Sequence, residues 1–269
     1  MLFASQAFAQ KIVMKAENPS DHIISIVSYN IHHSAGLDKK VDYERIGKVI
    51  AEMQPDVAGL QEIDSCWIRS GRVNSVERIA KAAGMEYWLF GPAIDFDGGR
   101  YGNAIISREK PLSYINIPLP GAEEKRAMLV AEFKDYFFCV THLSLTEESR
   151  AEAIAIISEK LMETAGKSKK PLFLCGDFND TPRSSTIGLF TGSFEFLSGL
   201  GKTFPANEPD RTLDYIMILK NKPGQKILKN FVKGKYGLAS WVQPESVASD
   251  HRPISAVIIK GQSFVESEL

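Results

Sequence analysis

Two polar side chains close a short apolar run in Pro171-Leu172-Phe173-Leu174-Cys175-Gly176-Asp177-Phe178-Asn179-Asp180. The run predicts a buried strand, after which Gly176 releases the backbone. If extended geometry continues, Asp177 and Asn179 point the same way, because strand side chains repeat every two residues. An acid and an amide aimed together can hold a water, one accepting its proton and the other fixing its orientation. Taken alone, the stretch reads more readily as a strand end closed by turn formers.

Other chemistry-bearing residues also stand at the ends of apolar runs. They are Asn30, Glu62, Asn103, His142, Asp214, Asp250 and His251. Each has an ordinary reading on its own: a solvated charge, a satisfied histidine, a turn. Together they suit phosphoester cleavage. Glu62, with Asn30 beside it, would anchor a hard divalent cation, which takes one or two carboxylates and keeps several waters. The cation would polarise a phosphoryl oxygen. Asp177 would deprotonate the attacking water, with Asn179 holding it. His142 and His251 would donate to phosphoryl oxygens or protonate the leaving group. Asp214 would fix the tautomer of His251. His32 and His33 read as surface histidines.

Composition is that of a soluble globular protein and narrows its partners. The 269 residues are 44% hydrophobic and 24% charged, with a formal net charge of -1. That length allows one large domain with an ordinary core. That balance exerts no global pull on nucleic acid or anionic lipid. The run Lys167-Ser168-Lys169-Lys170 is the one dense basic stretch. Cys66, Cys139 and Cys175 form neither a disulfide framework nor a zinc-type spacing. Ala7-Phe8-Ala9 before Gln10 fits the small-x-small pattern of signal cleavage, although no basic n-region precedes it. Secretion or periplasmic export is therefore expected, with a cytoplasmic location otherwise. No stretch is long and apolar enough for a membrane-spanning helix.

The elements that must position these residues alternate along the chain. Strands are expected at 23–31, 56–62, 87–91, 103–107, 112–120, 127–133, 136–143, 210–218, 227–236 and 254–259. Helices are expected at 42–53, 75–83, 146–165 and 184–190. A polar loop at 65–74 carries Trp67, Arg69 and Arg72, which either contact substrate or form a partly buried Trp with solvated arginines. A Gly-rich turn is expected at 95–102. Residues 1–22 read as leader and lead-in, 23–262 as one domain, and 263–269 as a tail.

Seven short motifs, in order, resemble the endonuclease/exonuclease/phosphatase superfamily. They are Tyr29-Asn30-Ile31, Leu60-Gln61-Glu62, Tyr101-Gly102-Asn103, Thr141-His142-Leu143, Gly176-Asp177-Phe178-Asn179, and the pair Leu213-Asp214-Tyr215 with Ser249-Asp250-His251. The resemblance runs from about 24 to 259. It implies an α/β four-layer sandwich, two mixed sheets face to face with helices outside. It implies dependence on Mg²⁺ or Mn²⁺, with Glu62, Asn30 and Asp250 around the metal. It implies catalytic roles for His142, Asp177, Asn179, Asp214 and His251. Arg126 resembles a substrate-contacting arginine of that group, or is a solvated strand-edge charge, and Asn103 is a further candidate for substrate contact. The expected activity is that of a divalent-metal phosphodiesterase or phosphomonoesterase, the diester preferred, acting as a monomer on a small molecule or lipid headgroup. Two alternatives stand beside it: a nuclease on DNA or RNA, which this near-neutral chain disfavours, and a non-catalytic binding protein on the same fold.

Overall fold

A computed structural model describes residues 22–96, 98–165, 168, 170–220 and 236–260. Among the described residues, twelve strands form two six-stranded sheets. The first holds β1 (His22–Asn30), β2 (Val57–Ser65), β3 (Tyr87–Phe96), β4 (Gly99–Ser107), β11 (Tyr236–Val242) and β12 (Ile254–Lys260). Its order is β11-β12-β1-β2-β4-β3. The second holds β5 (Ser113–Leu119), β6 (Arg126–Glu132), β7 (Phe137–His142), β8 (Leu172–Asp177), β9 (Phe194–Phe196) and β10 (Asp214–Leu219). Its order is β5-β6-β7-β8-β10-β9. Each sheet has one parallel pair, β1 with β2 and β7 with β8, among antiparallel neighbours.

A parallel pair needs a crossover. Helix α1 (Tyr43–Met53) lies between β1 and β2, and α3 (Glu147–Ala165) between β7 and β8. Helix α2 (Ser75–Ala82) joins α1, and α4 (Ser185–Ser193) joins α3. Their starts are written in the sequence. Asp42, Asn74 and Ser184 each accept a backbone N–H three residues on, satisfying a donor that the first helical turn leaves free. Gln54 ends α1 in the left-handed region, ahead of Pro55.

Strands covered on both faces read as unbroken apolar runs. Ile26 and Phe173 face the space between the sheets, with Val57, Val140 and Ile216. Their neighbours face outward. Val27 and Tyr29 pack on α1 and α2 through Ile46, Ile50 and Ile79. Leu174 and Tyr215 pack on α3 and α4 through Ile154, Leu161 and Phe190. The layers are therefore helix, sheet, sheet, helix, as expected.

Several boundaries differ from the expectations. The Gly-rich stretch at 95–102 is not a turn over its length: β3 and β4 stay paired out to Phe96 and Gly99. Asp97-Gly98 is the sequence form of a two-residue hairpin, and Gly98 has a φ of +72°. The strand expected from 210 starts at Asp214, since Asp210 and Arg211 pair instead with Thr203 and Phe204. Strands β9 and β11 were not expected. Most of the strand expected at 227–236 lies outside the described residues, as do the leader to 21 and the tail. Cys139 and Cys175 are buried free thiols. No described helix is long and apolar enough to cross a membrane.

Gly59 sits where the sheets press together. A Cβ there would lie 2.4 Å from Cys175 Sγ and 3.0 Å from Val140 Cβ. Gly59→Ala is expected to cost about 1–3 kcal/mol through overpacking. Adding Cys175→Ala should restore part of that loss in thermal unfolding. A double variant no more stable than Gly59→Ala would show that the clash is not with this thiol.

Candidate active site

The carboxyl ends of both parallel pairs reach one rim of the sandwich. Strand β1 ends at Asn30 and pairs there with Gln61, next to Glu62. In the other sheet, β7 ends at His142 and β8 at Asp177, and these two are register partners. The antiparallel strands contribute their starts. Asp214 opens β10 opposite Asp177, and His251 precedes β12, which runs antiparallel to β1. His142, Asp177 and Asp214 thus stand side by side across three strands. Gly176 permits this spacing, since a Cβ on it would fall 2.0 Å from the Thr141 carbonyl oxygen of β7.

Asp177 is the hub, and it is buried. Its Oδ2 accepts from Asn30 Nδ2 at 3.0 Å and lies 3.5 Å from His251 Nε2 and 3.6 Å from His142 Nε2. Its Oδ1 accepts the Asn179 backbone N–H at 2.9 Å. Asn179 reaches the site by a turn rather than by strand alternation: strand β8 runs through Gly176 and stops at Asp177, and Asn179 has a φ of +50°. The Asn179 Nδ2 group donates to Leu143 O and to His142 Nε2, both at 2.9 Å. Nε2 of His142 is thereby an acceptor, which places the ring proton on Nδ1. The other ring, His251, donates from Nδ1 to Asp214 Oδ2 at 2.9 Å and packs on Phe204.

Burial and neighbours set the charges. Burial lifts the Asp177 carboxyl to about 7, with Asp214 adding to the rise and His251 opposing it. Burial works against a charged His251, but Asp214 and Asp177 outweigh it and raise the imidazole to about 10. His142 is pushed well below the usual histidine range by burial, then by Arg126 and His251. The site therefore holds one cationic ring, one neutral ring and a carboxylate that titrates near neutrality.

Glu62 is aimed by a bulge. The pairing of β2 with β4 skips from Leu60–Ala104 to Ile63–Gly102, so Gln61 and Glu62 together oppose Asn103. Glu62 has a φ of +58°, a costly conformation for a residue other than glycine. Its Oε1 accepts from the same Asn30 Nδ2, at 3.0 Å. Asn30 meets both carboxylates through its NH₂, as a hydrogen-bond donor, while its oxygen accepts the His32 N–H at 3.1 Å. Glu62 and Asp177 are thus held within two hydrogen-bond lengths of each other.

His32 and His33 are not solvated surface residues. Both are half-buried, and each offers a ring nitrogen to a group with a Glu62 oxygen, all within 4.8 Å of one another. Asp177, Asp214 and His251 form the second such group among the described residues. Asp250 stands at the same rim but belongs to neither, its Oδ1 3.4 Å from Ser249 Oγ. The paired histidines two residues after a strand-end asparagine were a signal that alternation alone undervalues.

Asn103 and Arg126 line one crevice with His142 and Tyr101. Asn103 Nδ2 donates to Ala127 O at 2.8 Å, while its buried Oδ1 has no partner among the described residues. Arg126 is buried, not solvated, and its guanidinium meets Glu123 at 2.7 Å and Glu124 at 2.8 Å. In the 65–74 loop, Arg69 lies over Trp67 and grips buried Asp64 with two 2.8 Å bonds.

The donor set fits a divalent cation at Glu62. That carboxylate is half-buried and has no ion-pair partner among the described residues, which leaves it open to a cation.

The sequence model of the "Endonuclease/Exonuclease/phosphatase family" matches residues 27–251. Among solved structures, an endonuclease/exonuclease/phosphatase of Beutenbergia cavernae is similar, with a TM-score of 0.69 and 21% identity over 88% of this chain and 72% of that one. A mannosyl-6-phosphatase of Bacteroides thetaiotaomicron gives a TM-score of 0.67 at 16% identity, covering 88% and 99%. Beta toxin of Staphylococcus aureus, a variant with bound magnesium ions, gives 0.62 at 15%, covering 87% and 99%. No curated protein matches. The shared fold, and the family model spanning most of the sequence, mean that this chain belongs to the endonuclease/exonuclease/phosphatase family.

Proposed function

We propose that the chain is a divalent-metal-dependent phosphodiesterase that hydrolyses its ester by in-line attack of a water activated by Asp177. The observation that carries this reading is Asp177 Oδ2, which faces Asn30, His142 and His251 at one point from both sheets. The family as a whole is one of hydrolases of phosphoester bonds. Its similar structures include a phosphatase and a toxin with bound magnesium.

A cation bound at Glu62 would polarise a phosphoryl oxygen and offset the charge that develops on it. The remaining work belongs to the side chains. Asp177, raised to about 7, can take a proton from water near neutral pH. Asn30 keeps its carboxylate at a set distance from Glu62. Asn179 fixes the Asp177 carboxylate through its backbone and the His142 ring through its amide. His251, kept cationic by Asp214, presents Nε2–H toward the space beside Asp177, where it can donate to a phosphoryl oxygen or to the departing alkoxide. His142 is neutral here with Nε2 already accepting, so it orders Asn179 more directly than it serves as a proton donor. Asn103 and Arg126 are assigned to the substrate. A substrate phosphate near Arg126 would compete with Glu123 and Glu124 for its guanidinium. We assign the protein to the periplasm or exterior on its Ala7-Phe8-Ala9 segment.

Asp177→Asn and His251→Ala should each slow hydrolysis of bis(p-nitrophenyl) phosphate, with Mg²⁺ or Mn²⁺ present, by about 10²- to 10⁴-fold. Unchanged turnover in both would reject these roles. Supercoiled plasmid, phosphodiester lipids and inositol phosphates, assayed in parallel, separate a small-molecule enzyme from a nuclease.

The raised carboxyl also has a consequence for stability. An acid with a folded-state pKa above its ordinary value favours folding while it holds its proton. The Asp177 contribution is therefore full below about pH 4 and is lost as pH rises through about 7. Asp177→Asn lacks that falling slope. In chelator, the stability of the variant relative to the parent should improve between about pH 4 and pH 6.5, by denaturant titration at each pH. A constant difference would show that Asp177 is not held protonated.

A further inference from the structure

We infer that the Glu62 cation site is completed by the imidazoles of His32 and His33, and that it takes a first-row transition-metal ion in preference to Mg²⁺. This deepens the proposed hydrolase, on which it rests for what the bound ion does.

One ring nitrogen of each histidine and a Glu62 oxygen lie within 4.8 Å of one another. Metal bonds of 2.0–2.1 Å place tetrahedral donors about 3.3 Å apart, so modest side-chain rotation closes the set. Two imidazoles and one carboxylate leave positions open for water or substrate, as catalytic sites require. The donor types also discriminate. Mg²⁺ takes oxygen and dehydrates reluctantly, whereas imidazole suits iron, nickel, copper and zinc, with affinity rising from manganese to copper and lower again at zinc.

The backbone is shaped for this set. In a strand, adjacent side chains point to opposite faces. Here His32, His33 and Ser34 have φ values of 44°, 43° and 66°, all in the left-handed region. The turn brings the two rings to 4.5 Å between centroids, at 66° to each other. Three such residues in a row are costly unless the surroundings hold them.

Supporting contacts orient the ligands. His32 Nδ1 lies 3.2 Å from the Ala35 carbonyl oxygen, which can only accept. The ring proton is therefore on Nδ1, and Nε2 carries the lone pair that a metal needs. Asn30 accepts the His32 backbone N–H and donates to Glu62 Oε1, so one amide steadies two of the three ligands. Arg69, the cation that acts most on His33, is offset by its two bonds to Asp64. The same Asn30 amide binds Asp177, which puts the ion beside the proposed base.

The test uses the full chain, stripped with chelator and reloaded with Mn²⁺. Pulsed electron paramagnetic resonance should show two ¹⁴N couplings from directly bound imidazoles. His32→Gln and His33→Gln should each remove one coupling and weaken Mn²⁺ and Zn²⁺ binding roughly tenfold or more, with circular dichroism confirming the fold. Competition titration should show Zn²⁺ displacing Mg²⁺ from the parent. Bound Mn²⁺ without nitrogen coupling in the parent overturns the inference even if a variant fails to fold. In that case, hydrolysis with Mg²⁺ would leave the hydrolase reading intact. Nitrogen-coupled Mn²⁺ without hydrolysis of any phosphoester in any metal form would instead keep this site and remove that reading. No bound ion at all removes both.

Discussion

A carboxylate closed off from water, with a second carboxylate on the adjacent strand, is the constraint that the rest of this structure has to satisfy. Burying an isolated charge is expensive, and two acids in register make it more so. Asp177 and Asp214 are tolerated together because His251 lies between them, bonded to one and facing the other. Asn30 and the Asn179 backbone complete the hydrogen bonding of Asp177. These partners come from β1, from the segment before β12 and from the turn after β8. Slippage of one sheet on the other would strip Asp177 of a donor and leave an unpaired buried charge. The polar cluster therefore fixes how the sheets register, a role that the non-directional apolar contacts between them cannot fill.

The architecture answers the same demand. Each sheet has one parallel pair, and each pair sends its carboxyl ends to the same rim while its crossover helix covers the outer face. Local departures from regular geometry concentrate there. Glu62 sits in a bulge with a positive φ, Asn179 turns left-handed, and three successive residues from His32 do likewise. Such conformations persist where surrounding contacts over-determine them. The helices and strand centres, which carry the apolar packing, show none of this strain in their regular interiors.

Much of the fold was legible because its signals are local. A strand covered on both faces must be apolar throughout, as 172–175 and 215–218 are. A helix must satisfy its first N–H groups, as Asp42, Asn74 and Ser184 do. The candidate site was legible in its residue types, since chemistry restricts which side chains can do it. Geometry was less so. Strand alternation suggested that Asp177 and Asn179 are parallel, yet a turn and a backbone hydrogen bond bring them together. His32 and His33 were misplaced because a left-handed turn has no marker when it contains no glycine. Arg126 as a solvated strand-edge charge did not hold, because Glu123 and Glu124 pair with it from its own loop and bury it.

By itself, the sequence determined which segments must be buried, where most helices begin, and which side chains can manage metal, water and phosphate. These follow from propensity, periodicity and functional-group chemistry, all properties of neighbouring residues. Tertiary structure alone decided that Glu62 meets Asp177 through one amide, that His142, Asp177 and Asp214 stand in one row, and that two histidines turn toward Glu62. Those are distances between residues remote in the chain. They depend on strand register, on a one-residue bulge and on how two sheets pack, each set by the whole core rather than by any local run.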